Sequence, residues 1–109
     1  MERRVLADSA GMLFLYPTVQ PETSAFWMFR TRIPLDIAFV DSTGVIRSIR
    51  TMQPCQSTLI EGCPSYQAGA AYRAALEVNA GFFGRRKVNV GDRLFLEDTS
   101  VRRKATRRE

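Results

Sequence analysis

Four residues of this chain have side chains that a small polar site would need. Asp36 and Glu77 are carboxylates set among apolar neighbours, in PLDIAF and ALEV, and Arg30 precedes Asp36 by six positions. Paired carboxylates can transfer protons, and an arginine can bind an anion. Trp27 is the single tryptophan, which offers a flat apolar wall with one N–H donor. Together these residues form the predicted ligand-binding set.

The same two acids also have a structural interpretation. Burial of a carboxylate is costly unless it is paired, so Asp36 and Glu77 need partners in either case. An ion pair, or hydrogen bonds from backbone N–H groups at a bulge, would satisfy that need without a ligand. Both interpretations stay open, because spacing in sequence fixes no distance in space.

The absence of histidine excludes several kinds of chemistry. Ser-His-Asp and Cys-His catalysis and His-ligated metal sites all require it, and two cysteines are too few for a closed zinc site of cysteines alone. The glycines are scattered at turns and form no phosphate-binding loop. We therefore expect no metal and no cofactor.

Cys55 and Cys63 flank a loop that is bordered by prolines, PCQSTLIEGCP. Their separation of eight residues suits a local disulfide. Such a bond stabilises a fold by roughly 2–3 kcal/mol through loop entropy, and it suits an oxidising compartment. Reduced structural thiols are the alternative, and the spacing differs from that of a Cys-x-x-Cys redox motif.

The length of 109 residues suits one domain with one core. We predict a single β domain over residues 1–98 and a basic, disordered tail over residues 99–109. Most of the formal charge of +5 comes from the ending RRKATRRE, which has five basic residues and one acid. The basic side chains between Arg102 and Arg108 are a candidate contact with nucleic acid. No apolar run is long enough for a membrane helix.

One hairpin is the strongest structural signal. Residues 26–40 have the pattern of a strand that Pro34 interrupts, DSTG at 41–44 has turn chemistry, and residues 45–52 alternate as a return strand. Asp36 lies on the face of the first strand that carries its smaller side chains.

The remaining elements are short. Residues 54–69 have the composition of a loop, residues 70–78 fit a helix or a strand, residues 79–88 have room for one helical turn, and residues 93–97 predict a last strand. Short strands joined by turns predict a mainly β fold. We expect a compact antiparallel β-sandwich or barrel with one or two short helical elements.

The chain resembles the bacterial and archaeal family called domain of unknown function 192. The resemblance covers roughly residues 1–98, and it implies a compact, mainly antiparallel β-sandwich or barrel with a short helix or two. Members often carry an N-terminal signal or lipoprotein segment, and no activity is established for the family as a whole. The matching segments, in the family's order and spacing, are GMLFLYP at 11–17, FWM at 26–28, Thr31, IPLDIAFVD at 33–41, Gly44, LEVNAG at 76–81 and GD at 91–92.

Two departures from the family pattern matter. Members usually have one more strand ahead of an R-x-x-G-L-M segment, and Met1 to Arg4 fall where that segment ends. We therefore expect that strand to be absent here, because the chain was cut, its start was assigned late, or this branch of the family lacks it. A missing strand would leave an exposed sheet edge. Members also often have an Asn after the Trp-Met pair, where this chain has Phe29 and Arg30.

From these features we predict a non-enzymatic ligand-binding or accessory module that acts on a small molecule or a protein outside the cytoplasm. Two other functions remain open. One is a small hydrolase or lyase that uses Asp36 and Glu77 on a saccharide or a small anion. The other is a nucleic-acid-binding or regulatory protein that acts through its basic tail.

Overall fold

A computed structural model describes residues 11–28, 32–56, 59, 62–94 and 101–104, the last four by their backbone only. These residues form strands and one short helix. In chain order they are β1 (Gly11–Gln20), β2 (Ala25–Trp27), β3 (Leu35–Val40), β4 (Ile46–Met52), β5 (Ser65–Gln67), β6 (Tyr72–Asn79), α1 (Phe82–Arg85) and β7 (Val101–Lys104).

Five of the strands form the main sheet, in the order β4-β3-β6-β1-β7. Neighbouring strands are antiparallel, except that β7 is parallel to β1. Strands β2 and β5 pair as a separate antiparallel sheet, which we call the ribbon. The predicted fold class is confirmed. The chain is mainly β with one short helix, and its sheets pack like a sandwich without closing into a barrel.

The hairpin between β3 and β4 has its turn where the sequence predicts it. The predicted first strand at 26–40 is shorter, because β3 starts at Leu35 and Ala25–Trp27 pair with β5 in the ribbon. The Asp41 N–H donates to the Val45 carbonyl at 3.0 Å, and the Gly44 N–H donates to the Asp41 carbonyl at 3.0 Å. The Asp41 carboxylate accepts from the backbone N–H groups of Thr43 and Val45, at 2.9 and 3.1 Å. Gly44 has a φ of +91°, which glycine adopts without strain. The turn helps to fix the register of β3 against β4.

The main sheet buries both of its faces. Every residue of β3 is buried, because its alternating side chains point into two different cores. One face packs against the ribbon, and this ribbon-side core contains Phe14, Met28, Leu35, Ile37, Phe39, Met52, Ala68, Tyr72 and Ala75. The other face packs against α1, and this helix-side core contains Leu13, Ala38, Val40, Ile46, Leu76, Val78 and Phe83.

Helix α1 is the predicted single helical turn, and it ends at a residue in the left-handed region. Lys87 has a φ of +58°. Its N–H donates to the Gly84 carbonyl at 3.1 Å, and the Val88 N–H donates to the Phe83 carbonyl at 2.8 Å. This pair of hydrogen bonds is a Schellman motif. Phe83 and Val88 both pack in the helix-side core, so the motif holds α1 against the sheet.

Strand β6 resolves the ambiguity at residues 70–78. Its backbone pairs with β1 on one side and β3 on the other. These long-range hydrogen bonds outweigh the helix propensity of its alanines. The predicted loop at residues 54–69 also differs, because it contains β5, which pairs with β2.

The C-terminal part departs from the prediction in two places. In the predicted strand at 93–97, Arg93 forms an isolated bridge with Val45, and residues 95–97 lie outside the described residues. Within the predicted disordered tail, Val101–Lys104 pair with β1 as strand β7. The domain boundary after residue 98 stays a prediction, as does the missing first strand. Among the described residues, no helix has the length and apolarity needed to cross a membrane.

Candidate functional site

Asp36 is a buried carboxylate whose two oxygens both accept hydrogen bonds. It is 6% exposed. The Thr51 hydroxyl donates to Oδ1 at 2.6 Å, and the Gly81 N–H donates to Oδ2 at 2.9 Å. Thr51 stands directly opposite Asp36 in the β3–β4 register, and Gly81 immediately precedes α1. The carboxylate thus joins β3, β4 and the start of α1.

Glu77 lies on the opposite face of the sheet from Asp36. In the β3–β6 register Asp36 is opposite Val78, and Ile37 is opposite Glu77. Cross-strand partners share a face, whereas neighbours along a strand alternate. Glu77 therefore shares the ribbon side with Ile37, and Asp36 shares the helix side with Val78. Glu77 is also buried, at 5% exposed. The structure does not bring the two predicted acids together, since the sheet separates them.

Trp27 lies on the ribbon, with its indole turned outward. It is 48% exposed and pairs with Ser65 across the ribbon. Its neighbours Phe26 and Met28 pack in or against the ribbon-side core, so alternation directs Trp27 to the other face. Arg30 lies outside the described residues. Ligand binding by Trp27, Arg30, Asp36 and Glu77 stays a prediction.

The two cysteines form a disulfide in this structure. The Cys55–Cys63 bond closes the loop that precedes β5, with Cα atoms 5.8 Å apart. Cys63 is buried, and Cys55 packs against the ribbon-side core. The bond therefore fastens the end of β4 to the start of the ribbon. Among the described residues, no group of three acidic or cysteine side chains is placed to hold a metal ion.

Asp41 is an acid whose environment favours its charged form. A hydrogen bond from the Thr43 hydroxyl, at 2.7 Å, is the main cause that lowers the pKa of Asp41 below its ordinary 3.8. Burial is the second-largest effect and raises the pKa, while the backbone N–H groups of Val45 and Thr43 and the nearby Arg47 guanidinium each lower it further. Arg47 approaches the carboxylate to 3.4 Å. The charge of Asp41 is thus compensated within the turn.

A groove opens on the helix-side face of the main sheet, next to this turn. Its volume is about 250 Å³. Its apolar wall comes from the strands and from Leu94, and its polar members come from the turn and from Arg73. We call it the helix-side groove, and it is lined by Leu13, Leu15, Val40, Asp41, Ser42, Gly44, Arg73, Ala74 and Leu94.

Arg73 is the cation of the helix-side groove. Its Nε donates to the Tyr16 carbonyl at 2.9 Å, which anchors the guanidinium at one edge. Tyr72 packs in the ribbon-side core, whereas the next two residues, Arg73 and Ala74, both line the groove, so the faces of β6 do not alternate regularly at this point. The strand pairing is irregular here, between Leu15 and Gln20 of β1.

Sequence reasoning missed the helix-side groove. The available signal was Ala74, a small residue in a strand whose neighbours on the same face are larger. A small side chain at a buried sheet position leaves space above the strand. The signal can be used only if residues 70–78 are already known to be a strand and the face of each residue is known. The local sequence pattern fits a helix or a strand, so it does not give this assignment.

The described residues define a small, mainly β protein with a sandwich-like arrangement and a groove on the helix side of its main sheet. The chain belongs to the DUF192 family, described as an uncharacterized ACR, whose model matches residues 1–96. The family predicted from the sequence motifs is thereby confirmed.

Two solved structures are similar to this chain. A proposed transcription regulator from Sinorhizobium meliloti 1021 is 34% identical with a TM-score of 0.67, over 84% of this chain and 65% of that one. A protein of unknown function from Novosphingobium aromaticivorans DSM 12444 is 32% identical with a TM-score of 0.63, over 82% of this chain and 59% of that one. This chain therefore spans less than two thirds of either protein. No curated protein matches it.

Proposed function

We propose that this chain is a small non-enzymatic binding module and that the helix-side groove is its binding surface. The observation that carries the proposal is the groove itself, a concave and mostly aliphatic surface beside a single arginine. Ligand sites are typically concave and apolar, with a few polar groups that fix orientation. The volume of about 250 Å³ suits a small molecule rather than a large cofactor.

The arrangement of the acids favours binding over catalysis. Hydrolysis with two carboxylates requires both groups to flank the same bond, at separations of roughly 5–10 Å. Asp36 and Glu77 instead point to opposite faces of the sheet. Both oxygens of Asp36 are already engaged by Thr51 and Gly81.

A ligand panel tests this proposal. Small carboxylates, alcohols, sugars and nucleotides are screened for an increase in Tm, and each compound that raises it is then incubated with the protein and followed by NMR. A binding module raises its Tm and leaves the compound unchanged. The Ala74→Leu variant, which fills the helix-side groove, should lose the increase. Conversion of a compound that stops in Asp36→Asn would contradict the proposal and support an enzyme.

Titration of each binding compound, followed by tryptophan fluorescence, distinguishes binding in the helix-side groove from binding at the predicted ligand-binding set. Trp27 is the only tryptophan, and it lies on the ribbon, across the main sheet from the groove. A ligand that sits against Trp27 should change its fluorescence directly. A ligand in the groove should bind with little change in that signal. A direct change in Trp27 fluorescence would support binding at the predicted ligand-binding set instead of the groove.

We also propose that the module works in an oxidising compartment. The Cys55–Cys63 disulfide supports this, because such bonds persist mainly outside the cytoplasm. Alkylation of intact cells before and after reduction, followed by mass spectrometry, measures the fraction of oxidised protein. A chain recovered with both thiols free would contradict this location.

Regulation through nucleic acid is the second candidate function. The similar Sinorhizobium meliloti protein is a proposed transcription regulator, and the C-terminal tail of this chain is strongly basic. Arg107 and Arg108 follow β7, so their joint replacement by alanine leaves that strand's residues unchanged. If the tail binds duplex DNA, anisotropy titrations should show weaker binding and a salt slope lower by about 2. A control that replaces Arg50 and Arg93 should keep its affinity. Equal loss in both variants would contradict a role of the tail.

A further inference from the structure

We propose that the ligand of the helix-side groove is a small apolar monocarboxylate whose carboxylate is bound by Arg73. This inference rests on the proposed function, and it adds the chemical class of the ligand. Three features of the groove favour such a ligand: donors of Arg73 that no described residue engages, the charge around the turn, and the shape of the aliphatic wall.

Arg73 has donors left for a ligand. Its Nε is engaged by the Tyr16 carbonyl, which fixes the plane of the guanidinium. Within the part of the chain that the structure describes, that is the single hydrogen bond of the side chain, and no acid forms an ion pair with it. A half-buried guanidinium held on one side presents its two terminal nitrogens as a fork that matches a carboxylate.

The charges around the groove also favour an anion. Asp41 is the acid that lines it, and Thr43, Val45 and Arg47 already engage that carboxylate. Arg93 adds a second cation at the turn, where it donates to the Thr43 carbonyl at 2.9 Å. Among the described residues at this end of the sheet, Arg47, Arg73 and Arg93 outnumber Asp41 and Asp92, so their net charge is positive.

The apolar wall indicates the size and polarity of the part of the ligand beyond its carboxylate. Five aliphatic side chains line the groove, from β1, β3, β6 and the segment that follows α1: Leu13, Leu15, Val40, Ala74 and Leu94. About 250 Å³ corresponds to roughly eight water-sized volumes of ~30 Å³. A short aliphatic acid such as hexanoate matches that size, with its chain along the wall and its carboxylate at Arg73. A sugar of equal size would leave its hydroxyls without partners on this wall.

Calorimetric titration with hexanoate, hexanol and inorganic phosphate tests the inference. We expect hexanoate to bind one site. Hexanol lacks the carboxylate and phosphate lacks the aliphatic chain, so each should bind about tenfold more weakly or not at all. Arg73→Gln should weaken hexanoate binding about tenfold or more. Ala74→Leu should abolish it by filling the groove.

Arg50→Gln is the matched control. Arg50 also donates its Nε to a backbone carbonyl, that of Gln67 at 3.0 Å, but it points to the ribbon side of the sheet. Its replacement should leave the affinity for hexanoate unchanged. Equal loss in Arg73→Gln and Arg50→Gln would overturn the role of Arg73.

The outcomes separate this inference from the proposed function. If hexanol binds as tightly as hexanoate and Ala74→Leu removes both, the groove is a binding surface but the carboxylate assignment is wrong. If hexanoate does not bind while another compound of the panel does and is returned unchanged, the ligand class is wrong and the binding module stands. If hexanoate binds equally well to Ala74→Leu, its site lies elsewhere and the inference fails.

Discussion

The two faces of the main sheet are packed in different ways. On the ribbon side, aromatic rings interlock, with Phe39 centred 4.8 Å from Tyr72 and 5.4 Å from Phe26, and Tyr16 centred 5.5 Å from Tyr72. On the helix side the core is aliphatic except for Phe83 and the partly buried Phe82, and it borders the helix-side groove. Among the described residues, the ribbon side is therefore the more aromatic face, and the helix side borders a groove with space for a ligand.

Among the described residues, each face buries one acid, and the two acids have different surroundings. Asp36 on the helix side is held by a hydroxyl and a backbone N–H, both from residues that the fold brings to it. Glu77 on the ribbon side lies one position along the neighbouring strand, yet it points the other way. Two residues that are close together on paired strands need not share a site. Side chains alternate along a strand, so a shift of one position puts a side chain on the opposite face of the sheet.

The largest expected difference between the faces comes from Phe39→Ala and Leu15→Ala. Phe39 is almost fully buried among aromatic rings, so its truncation should lower the free energy of unfolding by about 3–5 kcal/mol. Leu15 is half-buried and already borders open space, so its truncation should cost about 1 kcal/mol. Urea unfolding of both variants measures this. Equal losses would mean that the two faces are equally filled.

The next effect concerns Asp36. Asp36→Ala leaves the Gly81 N–H and the Thr51 hydroxyl without their acceptor, so we expect a loss of about 2–4 kcal/mol in unfolding free energy. Thr51→Val removes one of the two hydrogen bonds and should cost about 1 kcal/mol.

The double variant of Asp36 and Thr51 completes this test. Its loss should be smaller than the sum of the single losses, because both changes remove the same hydrogen bond. If Asp36→Ala were nearly neutral instead, the carboxylate would have no structural role, and its prediction as a ligand-binding residue would gain support.

A smaller effect, of opposite sign, is expected where α1 meets the helix-side core. Lys87→Gly relieves a left-handed backbone at a position that glycine prefers, so it should raise the unfolding free energy by about 0.5–1 kcal/mol. Arg86→Gly is the control, because Arg86 has a φ of −95° and its guanidinium lies over the Phe82 ring. That variant should lose stability. A loss in Lys87→Gly as well would show that the lysine side chain outweighs its backbone strain.

The smallest effect is the pH dependence of the turn beside the helix-side groove. The pKa of Asp41 is lower in the folded chain than its ordinary 3.8, so its stabilising contribution is fully present above that value. It is lost as the pH falls through the lowered pKa. The difference in unfolding free energy between the wild type and Asp41→Asn should therefore be constant near neutral pH and shrink below about pH 4. A difference that grows in acid would contradict the assigned direction.

How well the sequence predicts a structural feature depends on how far apart its contacting residues lie along the chain. Asp41 and Gly44 form their turn from local chemistry, so the turn is predicted correctly. The prediction of regular alternation in β4 is wrong, because a register shift next to Val40 puts Ile46 on the helix side and Met52 on the ribbon side. Thr51 lies 15 residues from Asp36 within that hairpin, whereas Gly81 lies 45 residues away. The second contact depends on the pairing of β6, which local propensity does not decide. The opposite orientation of Glu77 and the helix-side groove depend on the same register, so neither follows from spacing alone.

The position of β1 in the sheet has a consequence for how the chain folds. β1 precedes the other described strands along the chain, yet it lies between β6 and β7, with Leu13 opposite Leu76. The β3–β4 hairpin can form as soon as its own residues are available, whereas β1 has no partner until β6 exists. Contacts so distant in sequence slow folding, typically to milliseconds or longer. We therefore expect the docking of β1 to limit the refolding rate, and its GMLFLY segment to be the most aggregation-prone part of the nascent chain.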